Sequence, residues 1–166
     1  MNDLIDQLIV VIRQEEELLG EFLQCLTEQK EFIVANRVEE FDTSVIREEE
    51  LIVSIRRIEE ARTKLVRSIA STTGAADDEL TLTRLIEINL GEASEELKNL
   101  KRTLAGLVEK IKRANRVNQY LIRRSLSLIQ KNVDWLIDGG DVNTLYAADG
   151  RPRRRGMNTV LVNKVL

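Results

Sequence analysis

The residues of this chain that could do chemistry are mainly carboxylates. Three consecutive glutamates occupy positions 15–17 and three more occupy positions 48–50, and either group could hold a metal ion or supply an acid–base pair. Consecutive residues of a helix point about 100° apart, so the carboxylates of each group diverge instead of converging. We interpret both groups as solvated helix faces and expect no metal site.

Other catalytic arrangements are excluded by composition. The 166 residues include no histidine, which rules out the Glu-x-x-His pairs of di-iron bundles and every Ser-His-Asp or Cys-His arrangement. Cys25 is the single cysteine, so it can form neither a Cys/His zinc site nor an internal disulfide. Its position in an apolar stripe predicts a small buried hydrophobic residue. We predict a protein that is not an enzyme, with no catalytic residues and no cofactor.

The elements that position these side chains are long helices. Apolar residues alternate three and four positions apart from Ile86 to Trp135, which keeps one stripe of side chains on one face of a helix. Aromatic residues make up only 4% of the chain and charged residues 32%, a composition typical of long helices rather than of sheets. A helix of this length must pack against other long helices or against a partner.

We predict an all-α fold: an antiparallel hairpin of two long helices plus a longer third helix, which form a three-helix, coiled-coil-like bundle with a flexible C-terminal tail. The helices are expected at about 3–35, 38–70 and 78–137, the bundle at 1–138 and the tail at 139–166. Asn36 is predicted to be a left-handed stop between the first two helices. Folding the chain there brings Glu15 within about one turn of Arg62, which predicts an ion pair across the hairpin.

In the last third of the third helix this stripe of side chains, which we call the seam, mixes polar and apolar residues. Asn118, Ser125 and Asn132 alternate there with Leu121, Leu128 and Trp135. Such a surface suits a reversible partner better than a permanent core, and we expect Trp135 to close the end of the bundle. The polar segment 71–76 is predicted to connect the second and third helices.

Two segments near the C-terminal end carry recognisable motifs. Residues 115–129 read Asn-Arg-Val-Asn-Gln-Tyr-Leu-Ile-Arg-Arg-Ser-Leu-Ser-Leu-Ile, and residues 144–150 read Thr-Leu-Tyr-Ala-Ala-Asp-Gly. The first resembles the Asn-x-x-Asn-x-x-Leu…Ser-Leu stretch of the FlgN family of flagellar type III export chaperones. The second resembles the Leu-Tyr-x-x-x-Gly tail of the same family. The resemblance covers essentially the whole chain, since the helical hairpin fits the looser N-terminal half of that family.

The resemblance implies a cytoplasmic chaperone that binds the C-terminal segments of hook–filament junction proteins of the FlgK and FlgL type. Such a chaperone would prevent premature assembly of its clients and deliver them to the export gate. Tyr146 would dock on the cytosolic domain of that gate. The client-binding surface would consist of Asn118, Leu121, Ile122, Ser125, Leu128 and Ile129. An amphipathic helix end can accept a client helix on its apolar strip, which agrees with this assignment.

Several alternatives stay open. The same seam could belong to a structural coiled-coil adaptor that oligomerises without a client, whereas a chaperone should self-associate weakly at most. Tyr146 could fold back on Trp135, and the run from Arg151 to Arg155 could be a solvated linker or a phosphate-binding patch. Nucleic-acid binding is the weakest option, and we expect no nucleic-acid partner. We also expect no transmembrane segment and no secretory signal, because apolar runs are short and the chain opens with Met-Asn-Asp-Leu.

Overall fold

The fold is all-α. A computed structural model describes residues 2–73, 83, 86 and 92–139, and 97% of them are helical with no strand among them. Three long helices follow one another: α1 (Asn2–Val34), α2 (Val38–Thr73) and α3 (Glu92–Gly139). The predicted fold class is therefore confirmed. Most of the predicted start of the third helix, at 78–91, lies outside the described residues, although Thr83 and Ile86 are helical.

Helix α2 is longer than predicted. The sequence places the polar residues Ser71 and Thr72 in the connection between helices, but both are helical. Their hydroxyl groups donate to the carbonyl oxygens four residues earlier, from Ser71 to Arg67 at 3.0 Å and from Thr72 to Ser68 at 2.8 Å. The hydroxyls thus bond within the helix instead of forming the local turns that these side chains also favour.

The turn between α1 and α2 is short and depends on one left-handed residue. Asn36 has φ 54°, as the sequence analysis predicted, because asparagine tolerates positive φ better than most residues. The amide of Asn36 donates to the carbonyl of Ile33 at 3.2 Å, and that of Arg37 donates to Phe32 at 2.9 Å. These two bonds form a Schellman motif, which ends α1 and reverses the chain. The guanidinium of Arg37 also lies 4.7 Å from the centre of the Phe32 ring.

The chain divides into two compact units, Met1–Arg123 and Arg124–Leu166, and α3 contributes to both. In the first unit, α1 and α2 are antiparallel, since Glu15 pairs with Arg62 while Gln29 bonds to Glu48. In the same unit, α3 runs parallel to α1, since Arg13 pairs with Glu96 and Asn118 bonds to the carbonyl of Leu26. The first unit is therefore a three-helix bundle.

The largest core cluster lies where α1 and α3 begin and α2 ends. It consists of buried apolar residues from all three helices and from Ile86: Ile5, Leu8, Ile9, Ile12, Ile69, Ala70, Ile86, Leu97 and Leu100. Cys25, Leu26 and Leu51 are buried further along the hairpin. The three-and-four spacing of these residues directs them to one face of each helix, where they pack against the neighbouring helices.

Candidate functional site

The densest run of exposed large apolar side chains among the described residues lies on the last four turns of α3, within the second unit. Every described side chain from position 123 to position 137 is exposed. Seven of these are large and apolar, and we call them the apolar C-terminal surface: Leu126, Leu128, Ile129, Val133, Trp135, Leu136 and Ile137. A contiguous apolar area of this kind is typical of a binding site for another protein.

This surface follows from the local sequence. At 100° per residue, the seven apolar side chains cover rather more than half of the helix circumference, while Ser127, Gln130, Lys131 and Asp134 occupy the remainder. The stretch is thus amphipathic. Its apolar side is wide enough for several side chains to contact a partner helix at once.

The residues predicted to bind clients fall into three groups. Ser125, Leu128 and Ile129 are exposed, with Leu128 at 53% and Ile129 at 58%. Leu121 and Ile122 are half-buried in the first unit. Asn118 is buried, with 3% of its surface exposed. The side chain of Asn118 is therefore unavailable to a client, and we remove it from the client-binding surface.

Asn118 instead joins all three helices through hydrogen bonds. Its side-chain amide donates to the carbonyl of Leu26 at 2.8 Å and to the side-chain oxygen of Gln29 at 3.4 Å. Gln29, itself buried, donates to Glu48 of α2 at 2.7 Å. The seam position of Asn118 could have suggested this role, because a polar residue in an apolar seam often fixes helix register. Its partners could not be read from the sequence.

The predicted ion pair of the hairpin is confirmed. Nε of Arg62 lies 2.8 Å from Oε2 of Glu15, although among the described residues neither atom has a hydrogen-bond partner, so the contact is electrostatic. Burial raises the pKa of Glu15, and Glu59 adds to this effect, while the charge of Arg62 opposes it. Glu15 is thus a structural group of the bundle.

Cys25 is a buried free thiol, as predicted. Its sulfur donates to the carbonyl of Ser44 at 3.4 Å, and burial raises the pKa of the thiol. A raised pKa disfavours the thiolate, so this cysteine is a poor nucleophile. Within the part of the chain that the structure describes, no group of three or more cysteine and carboxylate side chains could hold a metal ion.

Two further expectations concern the C-terminal region. Trp135 does not close the bundle: 72% of it is exposed, so that prediction was wrong, and Trp135 joins the apolar C-terminal surface instead. Tyr146 and the run from Arg151 to Arg155 lie outside the described residues. The predicted client-binding surface does not include four exposed apolar residues whose amphipathic spacing is a usable signal: Leu126, Val133, Leu136 and Ile137. None of the described helices is long and apolar enough to cross a membrane.

Comparison with known proteins identifies the family. The family model of the FlgN protein matches residues 1–154, which is most of the chain. The chain belongs to the FlgN family. FlgN proteins are flagellar export chaperones, in agreement with the resemblance of the sequence motifs, and the family is not a family of enzymes.

One curated relative matches most of the length of this chain. The uncharacterized protein YvyG of Bacillus subtilis (strain 168) is 27% identical over 130 residues, which cover 76% of this chain and 79% of that protein. No solved structure was found to match this FlgN-family chain.

Proposed function

We propose that this FlgN-family protein is a cytoplasmic chaperone that binds the C-terminal segments of hook–filament junction proteins of the FlgK and FlgL type. It keeps these clients from assembling early and delivers them to the type III export gate. The observation that carries the proposal is the apolar C-terminal surface, in which seven large apolar side chains are exposed on one amphipathic stretch of helix.

The apolar C-terminal surface suits a helical client. Burying an exposed Leu, Ile or Val side chain stabilises a complex by roughly 1.5–3 kcal/mol, so a few such contacts offset the cost of association. An amphipathic client helix can supply matching apolar residues at the same three-and-four spacing. Ser125, Leu128 and Ile129 form the centre of the proposed client-binding surface, and Leu121 and Ile122 stay part of it as predictions.

Delivery to the gate is assigned to Tyr146. An aromatic side chain has few rotatable bonds to immobilise, which makes it a good anchor in a protein interface. The Tyr146→Ala variant should bind the cytosolic domain of the gate more weakly while its client affinity stays unchanged. Equal gate binding by variant and parent would remove Tyr146 from the proposal.

The client-binding step is tested by calorimetry with synthetic C-terminal peptides of candidate junction proteins. Leu128→Asp and Ile129→Asp should each weaken binding by about tenfold or more, because a carboxylate would have to be buried in the interface. Gln130→Asp adds the same charge to the polar side of the helix, next to Ile129, and should change affinity less than about threefold.

The same variants separate the chaperone from an adaptor. A chaperone should keep its helicity and its mass in sedimentation when Ile129 is replaced. An adaptor would lose its oligomer and much of its helicity. Parent and Ile129→Asp proteins that bind the peptides equally well would refute the proposed surface.

A further inference from the structure

A second apolar feature lies within the first unit, away from the apolar C-terminal surface in sequence. It is an open groove of about 300 Å³ between the helices of the bundle, lined by Leu19 and Phe22 of α1, Ile52 and Ile55 of α2, and Val108 and Ile111 of α3. Among the described residues, Arg56 and Lys112 are the charged residues that line it.

The groove is open because α3 is fixed to the hairpin on either side of it. Leu97 and Leu100 are buried in the core cluster, and Asn118 is hydrogen-bonded to α1. Between these contacts no described residue of α3 is buried, and 37% of Val108 is exposed. A cavity of this size has room for apolar side chains from a partner, whose burial would remove apolar surface from water.

The charged residues around the groove favour an acidic partner. Within the described residues Arg56 has no hydrogen-bond or ion-pair partner. Lys112 pairs with Glu109 at 3.0 Å, but the two side chains are 62% and 68% exposed, so this pair exchanges readily with solvent or with another carboxylate. From position 97 to position 123, α3 carries eight Lys and Arg residues and a single acidic one, although the whole chain has a net charge of −3.

We propose that this groove is a second docking site, which takes an acidic amphipathic helix of a partner protein. Apolar side chains of that helix enter the groove, and its Asp or Glu side chains lie against Arg56 and Lys112. Complementary charge accelerates association and excludes basic partners, while the apolar contacts slow dissociation. The site goes beyond client binding on the apolar C-terminal surface, since it shares no residue with that surface.

The test uses two synthetic helical peptides with identical leucine positions, one with glutamate and one with lysine at every polar position. Fluorescence anisotropy with the full chain should show binding of the glutamate peptide, weaker by tenfold or more at about 300 mM salt than at about 50 mM. The lysine peptide should not bind. Equal binding of both peptides, or of neither, would overturn the proposal.

Two sets of variants locate the binding. Arg56→Glu with Lys112→Glu should weaken binding of the glutamate peptide by about tenfold or more, and Val108→Trp, which fills the groove, should do the same. Arg57→Glu with Lys110→Glu is the matched control: it reverses neighbouring exposed cations that do not line the groove, and should stay within about threefold of the parent. The charge variants are at exposed positions, so they test the site even if Val108→Trp alters the fold.

Failure of this site is distinguishable from failure of the client-binding proposal. If Ile129→Asp abolishes binding of the glutamate peptide while Val108→Trp leaves it unchanged, the peptide uses the apolar C-terminal surface and the groove proposal is wrong. If the control pair weakens binding as much as the Arg56 and Lys112 pair does, the attraction is general to the bundle and the groove is not a site.

Discussion

The two parts of α3 carry the same seam spacing and differ in burial. In the first unit, Leu97 and Asn118 occupy seam positions and are 0% and 3% exposed. In the second unit, Leu128 and Trp135 continue the same spacing and are 53% and 72% exposed. A heptad pattern therefore specifies which face of a helix is apolar, but it does not specify what that face contacts.

The largest expected effect compares one leucine from each part. Leu97→Ala should lower the free energy of unfolding by about 3 kcal/mol, because it removes buried methyl groups and leaves a cavity in the core cluster. Leu128→Ala removes the same atoms from an exposed site and should change that free energy by less than about 0.5 kcal/mol. Urea unfolding followed by circular dichroism measures both. Equal losses would mean that the two parts of α3 are buried alike in solution.

The second comparison uses the seam asparagines. Asn118→Ala should lower the free energy of unfolding by about 1–3 kcal/mol, because it removes the hydrogen bonds to Leu26 and Gln29 and leaves Gln29 buried without one of its partners. Asn132 is exposed, and Asn132→Ala should stay within about 0.5 kcal/mol of the parent. A neutral Asn118→Ala would show that this hydrogen-bond network does not stabilise the bundle.

The smallest expected effect on stability comes from the buried carboxylate of Glu15. Burial raises the pKa of Glu15 in the folded chain above its value in the unfolded chain. Because the carboxyl of Glu15 binds its proton more tightly in the folded chain, protonation stabilises the fold fully at pH values below the unfolded-state pKa. This stabilisation is lost as the pH rises through the folded-state pKa. Glu15→Gln removes the titration, so its stability relative to the parent should increase as the pH rises above about 4.3, the usual pKa of a glutamate side chain.

Urea unfolding at several pH values measures this difference, and Glu17→Gln removes a carboxylate from an exposed position of the same helix as a control. A parent protein that gains stability over the Glu15→Gln variant as the pH rises would contradict the expectation. In that case the attraction of Arg62 would outweigh the burial of the carboxylate.

Much of the hairpin could be predicted because its signals are local. The three-and-four spacing indicated α1 and α2, and Asn36 was identified as the left-handed residue between them. Once the turn was placed, helical rise alone brought Glu15 and Arg62 together, and their ion pair was confirmed. The extension of α2 to Thr73 was missed, because the hydroxyls of Ser71 and Thr72 can bond either within a helix or within a turn.

The candidate sites were predicted less well. Asn118 and Leu128 both occupy seam positions of α3, and the sequence assigned both to one surface. The groove beside Val108 was not predicted at all, since it depends on where α3 contacts the hairpin and where it does not. Trp135 lies on the same seam and was expected to close the end of the bundle, but it is exposed.

The sequence by itself determined the helices, the position of the hairpin turn, the absence of histidine-dependent chemistry and the FlgN motifs, because each depends on residue type and on spacing along one helix. Only the tertiary structure decided which seam residues are buried, which polar residues join the three helices, and where apolar side chains stay exposed. Helix periodicity orients a side chain about its own axis, whereas burial depends on the neighbouring helices, whose contacts are made between residues far apart in the chain.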